Sequence, residues 1–173
     1  QAKMLMDYSI EHGVPVAAAE FTNEPNMLDI TGFPVGYTAE DYARDQDAYF
    51  GWVKENYPET LCVGPCNTEG TMGDKEKQKD MPVGGVEALS GNMASCDQLM
   101  NGTTVPMDVF SYHYYNGISE RLEMVMPNAH WDSKKTLTDQ YLAVAPNACK
   151  FNIPLRDKYV PGGEMWVTES GDA

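Results

Sequence analysis

An α/β domain built on a parallel sheet is the fold class this sequence predicts, and three observations predict it. Helix-like and strand-like segments alternate along the 173 residues. The strand-like segments are short and apolar. Polar residues, carboxylates among them, gather where those segments end. Alternation of this kind implies right-handed βαβ units around a parallel sheet, either open or closed into a barrel.

The elements follow in order. Residues 2–12 set Met4, Leu5, Tyr8 and Ile10 among polar neighbours before Gly13, the pattern of an amphipathic helix with a glycine stop. Val14 to Phe21 is short and almost wholly apolar, suiting a strand buried on both faces. Thr38 is the N-cap expected for a helix over 39–56, with Glu40 and Asp41 in a first turn where the dipole favours them. Its buried face is expected to carry Tyr42, Tyr49, Phe50 and Val53. Leu61 to Pro65 reads as a second strand, followed by a Gly, Lys and Asp-rich loop over 67–85 and a helix over 86–101 with Val86, Leu89, Met93 and Leu99 at helical spacing. Met107 to Tyr115, rich in aromatic β-formers, reads as a third strand. A helix over 134–149 and a fourth strand over Glu164 to Glu169 complete the order. No repeat or linker divides residues 1–173, so they read as one domain.

Composition excludes whole classes of function. Twelve basic against 26 acidic side chains give a formal charge of −14. Phosphate neutralisation needs clustered Lys and Arg, so neither nucleic acid nor an anionic membrane is an expected partner. No apolar run reaches the roughly 18–20 residues that cross a bilayer, and Gln1 opens no basic-then-apolar leader. Four scattered cysteines make no disulfide scaffold. Cys62-x-x-x-Cys66 is half of a zinc pattern with no second pair at ligand spacing, and His12, His113 and His130 do not cluster with it, so no metal is expected. Asn101-Gly102-Thr103 is a glycosylation sequon, which leans towards a secreted or lumenal home.

The chemistry lies at the strand ends. Asn23-Glu24-Pro25 follows the first strand and Glu169-Ser170-Gly171 ends the fourth. Polar residues at carboxyl ends of parallel strands are where function gathers. Paired carboxylates so placed suit glycoside hydrolysis, one protonated to donate to the leaving oxygen and one ionised to attack the anomeric carbon. Strand alternation sends His113 and Tyr115 to one face and Tyr112 and Tyr114 to the other, and the first pair is favoured as lining a site. Trp166 and Thr168 are expected opposite Val167 and Glu169 unless the strand ends in a bulge. Asn67 is a candidate substrate contact or a turn-forming residue. Lys75, Lys77 and Lys79 alternate with acidic and amide residues, as a solvated loop does.

Asn23-Glu24-Pro25 after a buried strand resembles the acid/base signature of the clan of retaining (β/α)8 glycosidases. There the acid/base ends the fourth strand and the nucleophile the seventh, three βα steps apart, as Glu24 and Glu169 are here. Phe110 to Gly117 is similar to the sixth strand of the heparanase and β-glucuronidase family, and Glu164 to Ser170 to its nucleophile strand. A xylosidase or iduronidase relative of the clan is the nearest competitor. The resemblance implies a (β/α)8 barrel of which this chain covers about strands 4 to 7, since a whole barrel takes about 250 residues. The other strands would come from the same or another polypeptide. It implies Glu24 as acid/base, Glu169 as nucleophile, Asn23 on the sugar hydroxyl beside the anomeric carbon, and Tyr115, or else His113, as donor to Glu169. A carbohydrate substrate is implied, and no cofactor. A non-catalytic carbohydrate-binding or assembly component is the other class to weigh, although it would need neither glutamate.

Overall fold

The computed structural model describes residues 1–29, 31–68, 93–115, 133–134 and 136–171. Along them run α1 (Ala2–Glu11), β1 (Ala18–Glu20), α2 (Ala39–Asn56), β2 (Leu61–Asn67), α3 (Cys96–Leu99), β3 (Val109–Tyr115), α4 (Asp139–Leu142), α5 (Val144–Tyr159) and β4 (Glu164–Gly171). The strands form one sheet in the order β1-β2-β3-β4, and each neighbouring pair is parallel. Sequential parallel strands with helices between them are the arrangement of a (β/α)8 barrel, here four strands of it.

One face of the sheet makes the core. Cys62 on β2 and Phe110 and Tyr112 on β3 pack with Phe50 and Val53 of α2, Cys96 and Met100 beside α3, and Ala148 of α5. Alternation along β3 therefore turns Ser111, His113 and Tyr115 to the other face. The helix α2 matches its expected bounds because its start is chemically marked. Thr38 accepts from the Asp41 N–H, and the Asp41 carboxylate accepts from the Thr38 N–H. Tyr42, Gln46, Phe50 and Val53 then repeat along its buried stripe. Close approach of α2 to the sheet is possible at Gly64, where a Cβ would stand 3.0 Å from Met107 Sδ and 3.6 Å from Phe50 Cζ. Phe50 is fully buried between these layers. Phe50→Ala is expected to cost about 3–5 kcal/mol, read as a lower urea midpoint at unchanged slope.

Several elements depart from the sequence expectation. The strand expected over 14–21 is only Ala18–Glu20 and is half-buried; pairing begins where the Leu61 N–H bonds Ala17 O, beyond Pro15, which has no N–H to give. α1 buries Met6 alone, while Met4, Leu5, Tyr8 and Ile10 are exposed. Instead of a helix over 134–149, α4 and α5 are separate and α5 runs on to Tyr159 with Pro154 inside it. Pro154 has no N–H, so one bond of the helical ladder is missing there. Of the helix expected over 86–101, residues 86–92 lie outside the described residues, and the remainder forms only the short α3. The loop from 69 to 85 with its three lysines, and His130, also lie outside them.

Candidate active site

The face of the sheet away from the helices carries a connected polar cluster at the carboxyl ends of the strands. Glu20 ends β1; Ser111 Oγ donates to its Oε1 at 2.8 Å and the Cys66 thiol to its Oε2 at 3.3 Å. The Cys66 N–H in turn donates to Ser111 Oγ at 3.1 Å. Cys66 Sγ stands 2.8 Å from Nε2 of His113, and His113 Nδ1 stands 2.9 Å from Glu24 Oε1 and 3.7 Å from Glu169 Oε2. The Tyr115 hydroxyl donates to Glu169 Oε1. One oxygen of Glu24, one of Glu169 and a ring nitrogen of His113 all lie within 4.8 Å of one another. His113 is buried, Glu24 half-buried and Glu169 open to solvent.

Two bulges aim these side chains. The β2–β3 register slips between Pro65 and Asn67, and the β3–β4 register slips so that His113 faces Glu169 after Tyr112 faces Val167. The extra residues are Cys66 and Thr168, and Sγ and Oγ1 of these two stand 4.0 Å apart. An inserted residue bends its strand and redirects the next side chain, which is how bulges serve sites. Glu24 and Cys66 are also the two non-glycine residues with left-handed backbones among the described residues, at φ +44° and +61°. Such conformations are costly for residues with a Cβ and gather where function fixes them.

The same donors raise the question of a metal. Glu20, Cys66 and His113 bring one ligand-type atom each within 4.8 Å of the others, as do Glu24, His113 and Glu169. Thiolate and imidazole ligands of one tetrahedral zinc, at about 2.3 and 2.0–2.1 Å from the ion, would stand about 3.5 Å apart. The 2.8 Å between Cys66 Sγ and His113 Nε2 is shorter than that spacing, a close hydrogen-bonding contact of sulfur and nitrogen. The cluster is a hydrogen-bonded chain in its geometry.

Burial and then the Glu20 carboxylate push the Cys66 thiol up to about 12. Burial and the bond to Glu169 likewise push the Tyr115 phenol upwards. A group whose folded pKa exceeds its unfolded value contributes stability that is whole below the unfolded value and is lost as pH rises towards the folded one. Stability is therefore expected to fall between about pH 9 and about pH 12, in part through Cys66. Cys66→Ser removes that titration while the tyrosines remain. Urea unfolding across this range should show a shallower alkaline decline in Cys66→Ser, by at most about 1.4 kcal/mol per pH unit.

The structure brings together Glu24, Glu169, His113 and Tyr115. Asn23 is exposed on the loop before Glu24. Asn67 is neither a turn residue nor exposed; it is fully buried at the end of β2. Beside it, Asn26 Nδ2 donates to Thr68 Oγ1 at 2.6 Å, and the Thr68 N–H to Asn26 Oδ1 at 3.0 Å, fixing the loop that carries Glu24 to the end of β2. Tyr112 lies in the core and Tyr114 packs against it. Thr168 is the bulge residue, so simple alternation between Val167 and Glu169 does not hold. Asn101 is exposed in the turn after α3. Glu20, Ser111, Cys66 and Thr168 were not among the expected site residues; the one sequence signal was a charged Glu20 closing an otherwise apolar run.

No family model matches the chain, and no curated protein matches it. Solved structures do. It is similar to a family 44 endoglucanase from Clostridium thermocellum, with 18% identity and a TM-score of 0.50 over 91% of this chain and 36% of that one. It is similar to a family 44 xyloglucanase from Paenibacillus polymyxa, with 18% identity and a TM-score of 0.51 over 98% of this chain and 40% of that one. A bifunctional glucanase-xylanase from a metagenome library shares 20% identity at a TM-score of 0.53, over 99% of this chain and 39% of that one. The chain thus has the fold of part of these glycoside hydrolase barrels and spans about two fifths of their length. The structural likeness falls on these glucanases and not specifically on heparanase or β-glucuronidase.

Proposed function

We propose that this chain supplies the catalytic half of a retaining glycoside hydrolase acting on a neutral β-linked glucan or xylan. One observation carries the reading: carboxylate oxygens of Glu24 and Glu169 lie within 4.8 Å of each other at the carboxyl ends of β1 and β4. Retaining enzymes set their carboxyl groups about 5–5.5 Å apart, whereas inverting ones leave about 6.5–9.5 Å for a water. In the first step Glu169 attacks the anomeric carbon while Glu24 gives its proton to the departing oxygen, leaving a glycosyl ester on Glu169. In the second, Glu24 takes a proton from water, which releases the sugar with its original configuration. The Tyr115 hydroxyl, donating to Glu169, orients the nucleophile. Asn23 is the residue assigned to the neighbouring sugar hydroxyl.

The neutral substrate follows from charge and from the company the fold keeps. Among the described residues, the partners named in the cluster are carboxylates, a thiol, hydroxyls and an imidazole. Lys3, Arg44, Lys54, Arg156 and Lys158 instead pair with aspartates elsewhere. A uronic acid would bring a further negative charge beside Glu20, Glu24 and Glu169. The resemblance of the third and fourth strands to heparanase and β-glucuronidase supports a glucuronide as the second reading. The remaining barrel strands, from the same or another polypeptide, complete the site, and a secreted or lumenal home with glycan on Asn101 belongs to the same proposal.

The test is the barrel-complete protein incubated with xyloglucan, a β-1,4-glucan, xylan and an aryl β-glucuronide. New reducing ends are expected from a neutral polymer, with the β anomer appearing first by proton NMR. Release of the α anomer would refute the retaining mechanism, cleavage of the glucuronide alone would favour the second reading, and no cleavage of any would remove the enzyme.

A further inference from the structure

Glu20 and Cys66 stand behind the carboxylate pair and reach it only through His113. We propose that Glu20 and Cys66 are positioning residues that hold a hydrogen on Nε2 of His113, so that its Nδ1 keeps one proton on the line shared with Glu24. The kinetic consequence rests on the glycosidase reading above; the placement of the hydrogen does not.

The hydrogens can be counted. Ser111 Oγ receives the Cys66 N–H, and its own hydrogen goes to Glu20 Oε1. Glu20 Oε2 receives the thiol. A thiol has one hydrogen, so a Cys66 sulfur that donates to Glu20 can meet Nε2, 2.8 Å away, only as acceptor. Thr168 Oγ1 stands 4.0 Å from the same sulfur. Burial and Glu20 keep the thiol protonated far above neutrality. The hydrogen between Sγ and the ring therefore belongs to Nε2.

A neutral imidazole with hydrogen on Nε2 has only a lone pair on Nδ1. Nδ1 stands 2.9 Å from Glu24 Oε1. An ionised carboxylate facing a bare nitrogen at that distance would set lone pair against lone pair. One proton on the line removes the conflict, either as a Glu24 carboxyl donating to Nδ1 or as an imidazolium donating to the carboxylate. In both forms the pair stores one proton, which passes to the leaving oxygen in the first step and is recovered from water in the second. Among the described residues, the titratable groups facing His113 include Glu20 from β1, Glu24 from the loop after it, Cys66 from β2 and Glu169 from β4.

The experiment is a pH profile of kcat/KM for the barrel-complete protein and its Cys66→Ala, Cys66→Ser and Glu20→Gln variants, on a substrate with a poor leaving group. Nitrogen-15 NMR of the imidazoles is recorded alongside. The unsubstituted protein is expected to show His113 protonated at Nε2. In Cys66→Ala the hydrogen is free to move to Nδ1, where it donates to an ionised Glu24, and the basic limb should fall by about one pH unit. Cys66→Ser should restore the limb, because a hydroxyl can donate to Glu20 and accept from Nε2. Glu20→Gln, which weakens the hold on the thiol, should move it the same way by less, and it carries the test if Cys66→Ala does not fold. A bare Nε2 in the unsubstituted protein, or a basic limb unmoved in the variants, overturns the proposal. Absence of glycosidase activity in the unsubstituted protein overturns the functional reading instead, and the NMR then decides this one.

Discussion

Glu169→Ala is expected to lower kcat on a β-linked substrate by about 10⁴-fold or more, with no glycosyl-enzyme formed. The size follows from the role. Glu169 is open to solvent at the end of β4, and a phenol and an imidazole converge on it from β3. Alanine leaves both in place and removes the only atom that forms the covalent bond. The neighbouring carboxylate, Glu24, is held beside His113 Nδ1 at 2.9 Å. Mass spectrometry of the protein treated with a slow fluorosugar substrate should find the adduct on the peptide carrying Glu169, and none in the variant. A variant that keeps a hundredth of the activity, or an adduct on another residue, would assign the nucleophile elsewhere.

How much of this was legible depends on what each feature needs. The helix α2 was read to both ends because its start is a capping box and its stripe is local: Thr38 and Asp41 are three residues apart, and Tyr42, Phe50 and Val53 repeat within one element. β3 was legible for the same reason, since a run of β-forming aromatics is itself the signal. The parallel order was legible because helices between strands leave few alternatives. The exposure of Leu5, Tyr8 and Ile10 on α1 was not, because helical periodicity marks an apolar face without saying what covers it.

The site divides in the same way. The closeness of Glu24 and Glu169 could be expected because carboxylates at strand ends are visible in one dimension. Cys66 and Thr168 were missed because a bulge is a property of two strands together. Gly64-Pro65 inside Leu61 to Asn67 is compatible with a bulge but does not say which partner residue it falls against, and the slip at Cys66 is what turns its thiol onto Glu20 and His113. Asn67 ends β2 as a buried strand residue and not as a turn. Glu20 presented a charge at the end of an apolar run, but its partner Ser111 lies in β3, across β2.

Glu24→Ala should separate the two steps by their need for a proton. General acid assistance is worth about 10²–10⁴-fold, and its loss should fall on substrates in proportion to how poorly their leaving groups depart. Natural glycosides, which leave as alkoxides, should lose activity nearly completely. Activated aryl glycosides, whose phenolates need no proton, should still form the glycosyl ester on Glu169 at close to the ordinary rate. They should then stall, because water attacking the ester lacks the base that Glu24 supplied, so a burst of phenol should precede a slow steady state. Azide is a nucleophile that needs no base and can enter the space a shortened side chain leaves. It should restore turnover of the aryl substrate in Glu24→Ala and give the β-glycosyl azide, the product of two inversions. The same anion should leave Glu169→Ala without a retained product, since there it can attack only from the opposite face. Rescue with retention in Glu169→Ala, together with an inert Glu24→Ala, would reverse the two roles and put the nucleophile on the loop after β1.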